Sequence, residues 1–212
     1  QNLQNIVRAL PLTAGENPTK LPYLTVFRFT ERSIPMPRTE SFYIYLVLDG
    51  SLRLYTPSGI LDYVPGQYSV SEIDTPTSGH VLTFSREADF LALAIELTLN
   101  DVISVVLDLD GSLAEQISNS KLKSSVMSAS DHNVLTAVCR LFSVMNEPVQ
   151  LSFLGKHLKR EIIFFILCGS CGSQFLQSVI NIQQAGEIYE INSWIKENFR
   201  HSFTVEELAG QR

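Results

Sequence analysis

The chain has 212 residues, enough to bury a sizeable core as one compact domain with an appendage. Apolar residues make up 45% of the sequence and charged residues 18%, which excludes a chain that is disordered over its whole length. The formal net charge of −6 argues against nucleic-acid binding by this segment itself, because neutralising phosphates requires a basic surface.

The sequence also bears on where the protein works. Its amino-terminal stretch lacks the charged start and long apolar run of a signal peptide. The longest apolar run near a helix, residues 162–168, is too short for a hydrocarbon core of roughly 30 Å. Three cysteines, an odd number, give no disulfide framework and suit a reducing compartment. We therefore expect a cytoplasmic protein that does not bind membranes.

The first half has the turn signals of an all-β domain. Short runs of aromatic and β-branched residues alternate with clusters of Pro, Gly, Asp and Ser. Asp49-Gly50 predicts a hairpin, because both central positions of such a turn favour positive φ. Close spacing of the runs predicts a β-sandwich or small barrel. The predicted strands cover 23–29, 43–48, 51–55, 60–64, 67–73, 80–84 and 90–97.

The second of these strands is apolar on both faces. Tyr43 and Tyr45 share one face, and Phe42, Ile44 and Leu46 lie on the other, because successive side chains of a strand alternate. This pattern predicts that one face meets the barrel interior and the other a covering helix.

From about residue 100 the apolar period becomes helical. Asp131 is a predicted N-cap for one long helix and Ser152 for the next. The predicted helices cover 100–107, 132–146, a segment from Ser152 to Gly169 or Gly172, and 173 to about 183. Their apolar stripes exceed what one β-domain face needs, so we predict that they form a dimer interface across a twofold axis. The residues concerned are Val134, Val138, Leu141, Met145, Leu154, Leu158, Ile162 and Phe165.

The last residues, 187–212, combine an amphipathic segment, a break and a second helix start. Apolar residues recur at helical spacing up to Phe199. After the break, Thr204 is a predicted N-cap, with Glu207 placed as in a capping box. The pattern predicts one helix, a short turn and the beginning of another.

Three blocks in this order resemble AraC/XylS-type transcription regulators. The turn and helix start TVEELA resemble the beginning of their DNA-binding region. The segment FYIYLVLDGSLRLYTPSGILDYVPGQYSVSEIDTP resembles their cupin-like sensor, and LGKHLKREIIFFILCGSCGSQFL resembles the end of the effector domain in one subgroup. The resemblance implies an α+β protein with a cupin-like β-sandwich or barrel at 1–130, a helical dimerisation region at 131–183 and an incomplete helix-turn-helix at 187–212.

The same resemblance implies a function through linkage. A small-molecule effector in the β-domain would bias the arrangement of the helices, and hence how a homodimer meets its operator through a DNA-binding domain. The next element in such regulators, the recognition helix, is missing from this sequence, so we expect no sequence-specific DNA binding by the 212 residues alone.

Six residues are candidates for the effector site. A strand arginine facing the barrel would form a fork for a carboxylate or for sugar hydroxyls, and pocket tyrosines would offer a ring and a hydrogen bond. A histidine that opens a strand would lie at the barrel mouth. Each also has an ordinary interpretation as a core or surface residue. The candidates are Arg28, Tyr43, Tyr45, Arg53, Tyr68 and His80.

Metal chemistry is not expected. Metal-binding cupin enzymes share a His-x-His pair, a Glu and a later His, whereas this chain has only His80, His132, His157 and His201. We predict no metal, no cofactor and no enzyme activity. Two alternatives stay open: a small metal-independent cupin-fold isomerase or lyase, and a pure protein-interaction module.

Cys168 and Cys171 form a CxxC after an apolar helix. This is the opposite electrostatic setting to the helix start that activates such thiols in thioredoxin-like proteins. They are either small residues in a tight helix–helix turn or sensors that respond to oxidation or to an electrophile. Both interpretations stay open.

Overall fold

The computed structural model describes residues 3–36, 41–56, 59–71, 78–119 and 131–184. The strands are β1 (Gly15–Pro18), β2 (Leu24–Phe29), β3 (Ser33–Ile34), β4 (Phe42–Asp49), β5 (Ser51–Thr56), β6 (Gly59–Tyr63), β7 (Tyr68–Ser71), β8 (Ser78–Thr83) and β9 (Phe90–Leu97). The helices are α1 (Leu3–Arg8), α2 (Leu99–Leu107), α3 (Gly111–Asn119), α4 (His132–Val144), α5 (Pro148–Cys168) and α6 (Gly172–Gln184).

These elements confirm the predicted α+β class and the predicted strands, within a few residues at their ends. The short β1 and β3, together with α1 and α3, were not predicted. The GENP of β1 contains both Gly and Pro and has no alternating apolar pattern, so sequence periodicity gives no signal there. The predicted helix-turn-helix start at 187–212 lies outside the described residues.

Two antiparallel sheets face each other. One has five strands in the order β1-β2-β9-β4-β7, and the other has four in the order β3-β8-β5-β6. The predicted hairpin at Asp49-Gly50 is wrong, because β4 pairs with β7 and β9 while β5 pairs with β6 and β8. The turn instead carries the chain from one sheet to the other. Gly50 has φ of +77°, and a β-carbon there would lie 2.6 Å from the Thr83 carbonyl oxygen.

The five-stranded sheet is buried on both faces, as the sequence of β4 predicts. Tyr43 and Tyr45 face the smaller sheet, where they belong to the core of the sandwich. Phe42, Ile44 and Leu46 face the helices and belong to a second core. β4 and β9 therefore separate two apolar layers and belong to both.

An ion pair between α2 and α5 helps to hold the helical layer against the five-stranded sheet. Thr98 and Asp101 form a capping box at the start of α2. The same Asp101 carboxylate accepts from the buried Lys159 of α5 at 2.6 Å, and the Lys159 ammonium lies 4.5 Å from the centre of the Tyr23 ring. This pairing explains how a lysine is accommodated in the core.

Two predictions about the long helices need correction. Asp131 does cap α4, but α5 begins at Pro148 rather than after Ser152, because proline is favoured in the first helical turn. The apolar stripes predicted to meet a second copy are largely part of the chain's own core. Of their eight residues, only Leu154 and Phe165 are not fully buried; the others are Val134, Val138, Leu141, Met145, Leu158 and Ile162.

No single helix among the described residues has the length and apolarity to cross a bilayer; by these two criteria alone the bent pair α5 and α6, 110° apart, passes when taken together.

The bend between α5 and α6 depends on close backbone contact. Gly169 caps α5, and Gly172 begins α6. A β-carbon at Gly172 would lie 1.7 Å from the Leu167 carbonyl oxygen, which is backbone and cannot rotate away. The corner therefore requires glycine at this position.

We expect Gly172→Ala to lower the free energy of unfolding by about 2–3 kcal/mol, because the backbone of the corner must shift to admit the methyl group. Urea denaturation measures this change. Gly111→Ala is the matched control, since a β-carbon there meets nothing within 4 Å. Equal effects of the two substitutions would contradict the close contact at the corner.

Candidate functional site

The interior between the two sheets is lined by aromatic side chains. Phe27 and Phe29 of β2 stack at 5.9 Å between ring centres, and Tyr45 of β4 lies 5.7 Å from Phe27. Ala92 and Ala94 occupy the same face of the neighbouring strand β9. The larger aromatic side chains of the interior therefore belong to other strands than the middle strand β9 at these two positions.

Two tyrosine hydroxyls end in this interior without hydrogen bonds. Tyr45 Oη and Tyr63 Oη are fully buried, and neither has a partner among the described atoms. The Ser69 side chain lies near Tyr63 but forms no hydrogen bond of normal geometry with it. An unmade hydrogen bond of this kind costs about 1–3 kcal/mol, so the interior is unfavourable as it stands.

Both hydroxyls keep their protons at neutral pH. Burial raises the pKa of Tyr63 to about 12, with Ser69 opposing the rise. Burial also raises the pKa of Tyr45 well above its ordinary value, with a smaller contribution from Tyr43. The interior therefore offers uncharged hydrogen-bond donors in an aromatic setting.

The structure does not bring the six predicted ligand residues together. Tyr43 and Tyr45 lie in the sandwich interior, but Arg28 and Tyr68 lie on the opposite face of the five-stranded sheet. Arg53 and His80 are cross-strand neighbours on the outer face of the smaller sheet, because they alternate with the inward-facing Leu52, Leu54 and Val81. The six residues therefore lie on three different surfaces. Alternation along each strand decides the face of each residue, but which faces meet depends on how the strands pair, and the sequence does not give that pairing.

Arg53 is a clear correction to the expectation of an arginine that faces the barrel. Its Nε and Nη2 each donate to a carboxylate oxygen of Asp62 on β6 at 2.7 Å. The pair lies on the exposed surface of the smaller sheet, where it holds the pKa of Asp62 below its usual range. Arg53 is thus engaged in a surface cross-strand ion pair.

A polar site that the sequence did not reveal lies beside α1. Arg8 donates from Nη2 to Asp49 at 2.6 Å and to Asp89 at 3.0 Å, and from Nη1 to Glu87 at 2.5 Å. Arg28 donates from Nε to Asp89 at 3.0 Å. A cavity of about 160 Å³ opens between these groups, lined by Arg8, Leu10, Leu12, Arg28, Glu87, Asp89 and Leu91. Since α1 has only six residues, periodicity gave little signal for it.

Asp89 is the centre of this charged cluster. Its side chain is 2% exposed and accepts from Arg8, Arg28 and the Ser85 hydroxyl. Burial alone would raise the pKa of Asp89, but the hydrogen bonds from Ser85, Arg8 and Arg28 outweigh it and lower the pKa to about 2. The cluster ties the turn between β8 and β9 to α1 and β2.

Cys168 is the last residue of α5, and Cys171 lies directly before α6. Cys171 is buried and Cys168 exposed, and neither forms a disulfide. Burial raises the pKa of both thiols, which lowers their thiolate content. The buried Tyr68 hydroxyl close to this corner has no hydrogen-bond partner among the described atoms. A sensing role for the two cysteines stays a prediction.

Within the described ranges no group of three or more His, Cys, Asp or Glu side chains converges as a metal site. The expected independence from metals stays a prediction that elemental analysis would test.

The fold is thus a two-sheet β-sandwich whose five-stranded sheet is covered by a helical layer. The family model of the AraC-type transcriptional regulator N-terminus matches residues 20–174, and the chain belongs to this family. The resemblance of the sequence to the effector domain of these regulators is thereby confirmed, whereas the resemblance of residues 187–212 to the start of their DNA-binding region lies outside the match and stays a prediction. A search of curated proteins found no match.

Solved structures show the same fold. ToxT from Vibrio cholerae strain SCE256, solved with an unsaturated fatty acid bound, matches 94% of this chain and 70% of its own at 13% identity and a TM-score of 0.53. ToxT from Vibrio cholerae O395, solved with (E)-4-(8-methylnaphthalen-1-yl)but-3-enoic acid, matches 89% and 70% at 12% identity and a TM-score of 0.51. A cupin superfamily protein from Desulfitobacterium hafniense matches 46% of this chain and 89% of its own at 16% identity, with a TM-score of 0.37 that is too low to show a shared fold.

The Asp89 cluster predicts a pH dependence of stability. Because the folded pKa of about 2 lies below the ordinary 3.8, the contribution of Asp89 is complete above about pH 4 and is lost as the pH falls through 2. We expect Asp89→Asn to lower the free energy of unfolding at pH 7 by about 2–3 kcal/mol and to flatten its decline below pH 4. Urea denaturation between pH 7 and pH 2.5 measures both effects. An unchanged slope in the variant would contradict the role of Asp89.

Proposed function

We propose that this chain is the effector-sensing part of a transcription regulator, and that a small molecule bound between the two sheets alters operator binding by a carboxy-terminal DNA-binding domain. One observation carries the proposal: Tyr45 and Tyr63 present buried hydroxyls with no partner among the described atoms, inside an aromatic interior. A ligand that accepts hydrogen bonds there would remove the cost of both.

The interior specifies the chemistry of the effector. The buried charged residues among those described are Asp89 and Lys159, and both are paired elsewhere. Since none of the described residues places a cation between the sheets, an ionised head group would be strongly disfavoured there. We infer an amphipathic molecule whose carbonyl, hydroxyl or protonated carboxyl group accepts from the tyrosines while its apolar body packs against Phe27 and Phe29. The unsaturated fatty acid bound to ToxT supports this class.

The signal would pass through the five-stranded sheet. Tyr45 faces the sandwich interior, whereas its neighbours Ile44 and Leu46 pack in the core shared with α4 and α5. A shift of β4 on ligand binding would therefore move the surface on which α4 and α5 pack. These helices precede residues 185–212 in the chain. Such coupling requires the effector to bind one arrangement of the helices more tightly than another.

Self-association remains part of the proposal. Paired half-sites on DNA are read by dimers, which motivates it independently of the stripes. Leu154 and Phe165 are the two stripe residues left partly open by the chain's own core. Sedimentation at micromolar concentration tests whether the chain dimerises. Membership in a regulator family supports this function over the metal-independent enzyme considered from the sequence.

Oleic acid, an unsaturated fatty acid, is a direct probe of the interior. We expect Tyr45→Phe and Tyr63→Phe each to weaken its binding about 5–10-fold, as loss of one hydrogen bond implies. The same substitutions should leave the unliganded protein as stable or more stable, because they remove an unpaired hydroxyl. Isothermal titration and urea denaturation measure the two effects.

Tyr55→Phe is the matched control, because Tyr55 is 43% exposed and lies outside the interior core. Its affinity for oleic acid should equal that of the wild type. Equal affinities for all variants, or loss of stability in Tyr45→Phe without ligand, would contradict an effector site at these hydroxyls.

A further inference from the structure

We propose that the cavity beside α1 is a second ligand site, for a small monocarboxylate about the size of a benzene ring. This cavity is distinct from the sandwich interior. Arg28, which lines it, alternates along β2 with the inward-facing Phe27 and Phe29 and therefore points to the other side of the sheet. The inference does not depend on the effector site proposed above.

The first support is that Glu87 already places a carboxylate on Arg8. Glu87 accepts from Arg8 Nη1 at 2.5 Å, whereas Asp49 and Asp89 share Nη2. The Glu87 side chain is 68% exposed, while those of Asp49 and Asp89 are 19% and 2% exposed. Glu87 is therefore the one carboxylate of the three that can turn into water at little cost. A ligand carboxylate would then take the position on Arg8 Nη1 that the Glu87 carboxylate leaves.

The second support is the free capacity of Arg28. Among the described residues its hydrogen bonds run from Nε to Asp89 and from Nη1 to the Leu12 carbonyl oxygen at 3.3 Å. A guanidinium carries five N–H donors, and the Arg28 side chain is 36% exposed. Both arginines line the cavity, so a ligand carboxylate bound there would accept from these further donors as well as from Arg8 Nη1, to which Glu87 is bound.

The third support is the apolar part of the wall. Leu10, Leu12 and Leu91 line the cavity together with the charged groups. Its volume of about 160 Å³ is close to the roughly 150 Å³ of a cavity that holds benzene. Charged groups form most of the cavity surface, and the partly exposed Leu10 and Leu12 add a smaller apolar part, which together fit an anion with a short apolar body.

Benzoate is the probe and benzamide, its neutral counterpart, is the ligand control. We expect saturable benzoate binding by isothermal titration at low ionic strength, no measurable benzamide binding, and weaker benzoate binding as salt is added. Glu87→Ala should tighten benzoate binding about fivefold, because the built-in competitor is gone. Arg28→Gln should weaken it about 10-fold or more, because charged donors are lost.

Arg53→Gln is the control variant, since Arg53 is an arginine of similar exposure on the other sheet. Its benzoate affinity should match the wild type. Arg28→Lys keeps the positive charge but loses the planar donors of the guanidinium, so we expect its benzoate affinity to lie between those of the wild type and Arg28→Gln. That result would show that Arg28→Gln loses a binding group and has not simply unfolded. The proposal is overturned if Glu87→Ala shows no saturable benzoate binding, or if Arg28→Gln and Arg53→Gln bind alike. Oleic acid titration of the same variants reports the interior separately.

Discussion

The central constraint on this molecule is that its five-stranded sheet must bury both faces. β4 and β9 consist almost entirely of apolar residues, and strand alternation sends half of them into the sandwich and half under the helices. The two cores therefore share one backbone layer. Close packing leaves such a layer little freedom to move on one side alone, so we expect a change between the sheets to reach α4 and α5.

This constraint also decides where polar groups can lie. Charges are placed where the sheet ends: Asp89 joins Arg8 and Arg28 beside α1, and Lys159 meets Asp101 at the start of α2. Inside the sandwich the buried polar groups of the described residues are uncharged, and Tyr45 and Tyr63 are among them. The two proposed ligand sites therefore differ chemically: one is a neutral aromatic interior and the other a charged cavity beside α1. Their ligands differ in charge and size, which makes the two sites separable by experiment.

The sequence predicted those elements in which apolar residues recur at the regular spacing of a strand or a helix. The apolar faces of β4, the cap at Asp131 and the family were all accessible from residues alone. Sheet pairing was not, because Asp49-Gly50 has the composition of a hairpin turn while the partner of each strand is decided by distant β8 and β9. For the same reason the candidate residues could be named but not grouped. Arg8 was missed because a six-residue helix carries too little pattern.

Hydrogen exchange with and without oleic acid tests the coupling through the sheet most directly. If the sheet joins the two cores, ligand should slow exchange in β4 and β9 and also change it in α4 and α5, which do not touch the sandwich interior. Tyr45→Phe should reduce both effects together, whereas Tyr55→Phe should reduce neither. Slowed exchange confined to the strands, with unchanged α4 and α5, would contradict a sensor that works through its central sheet.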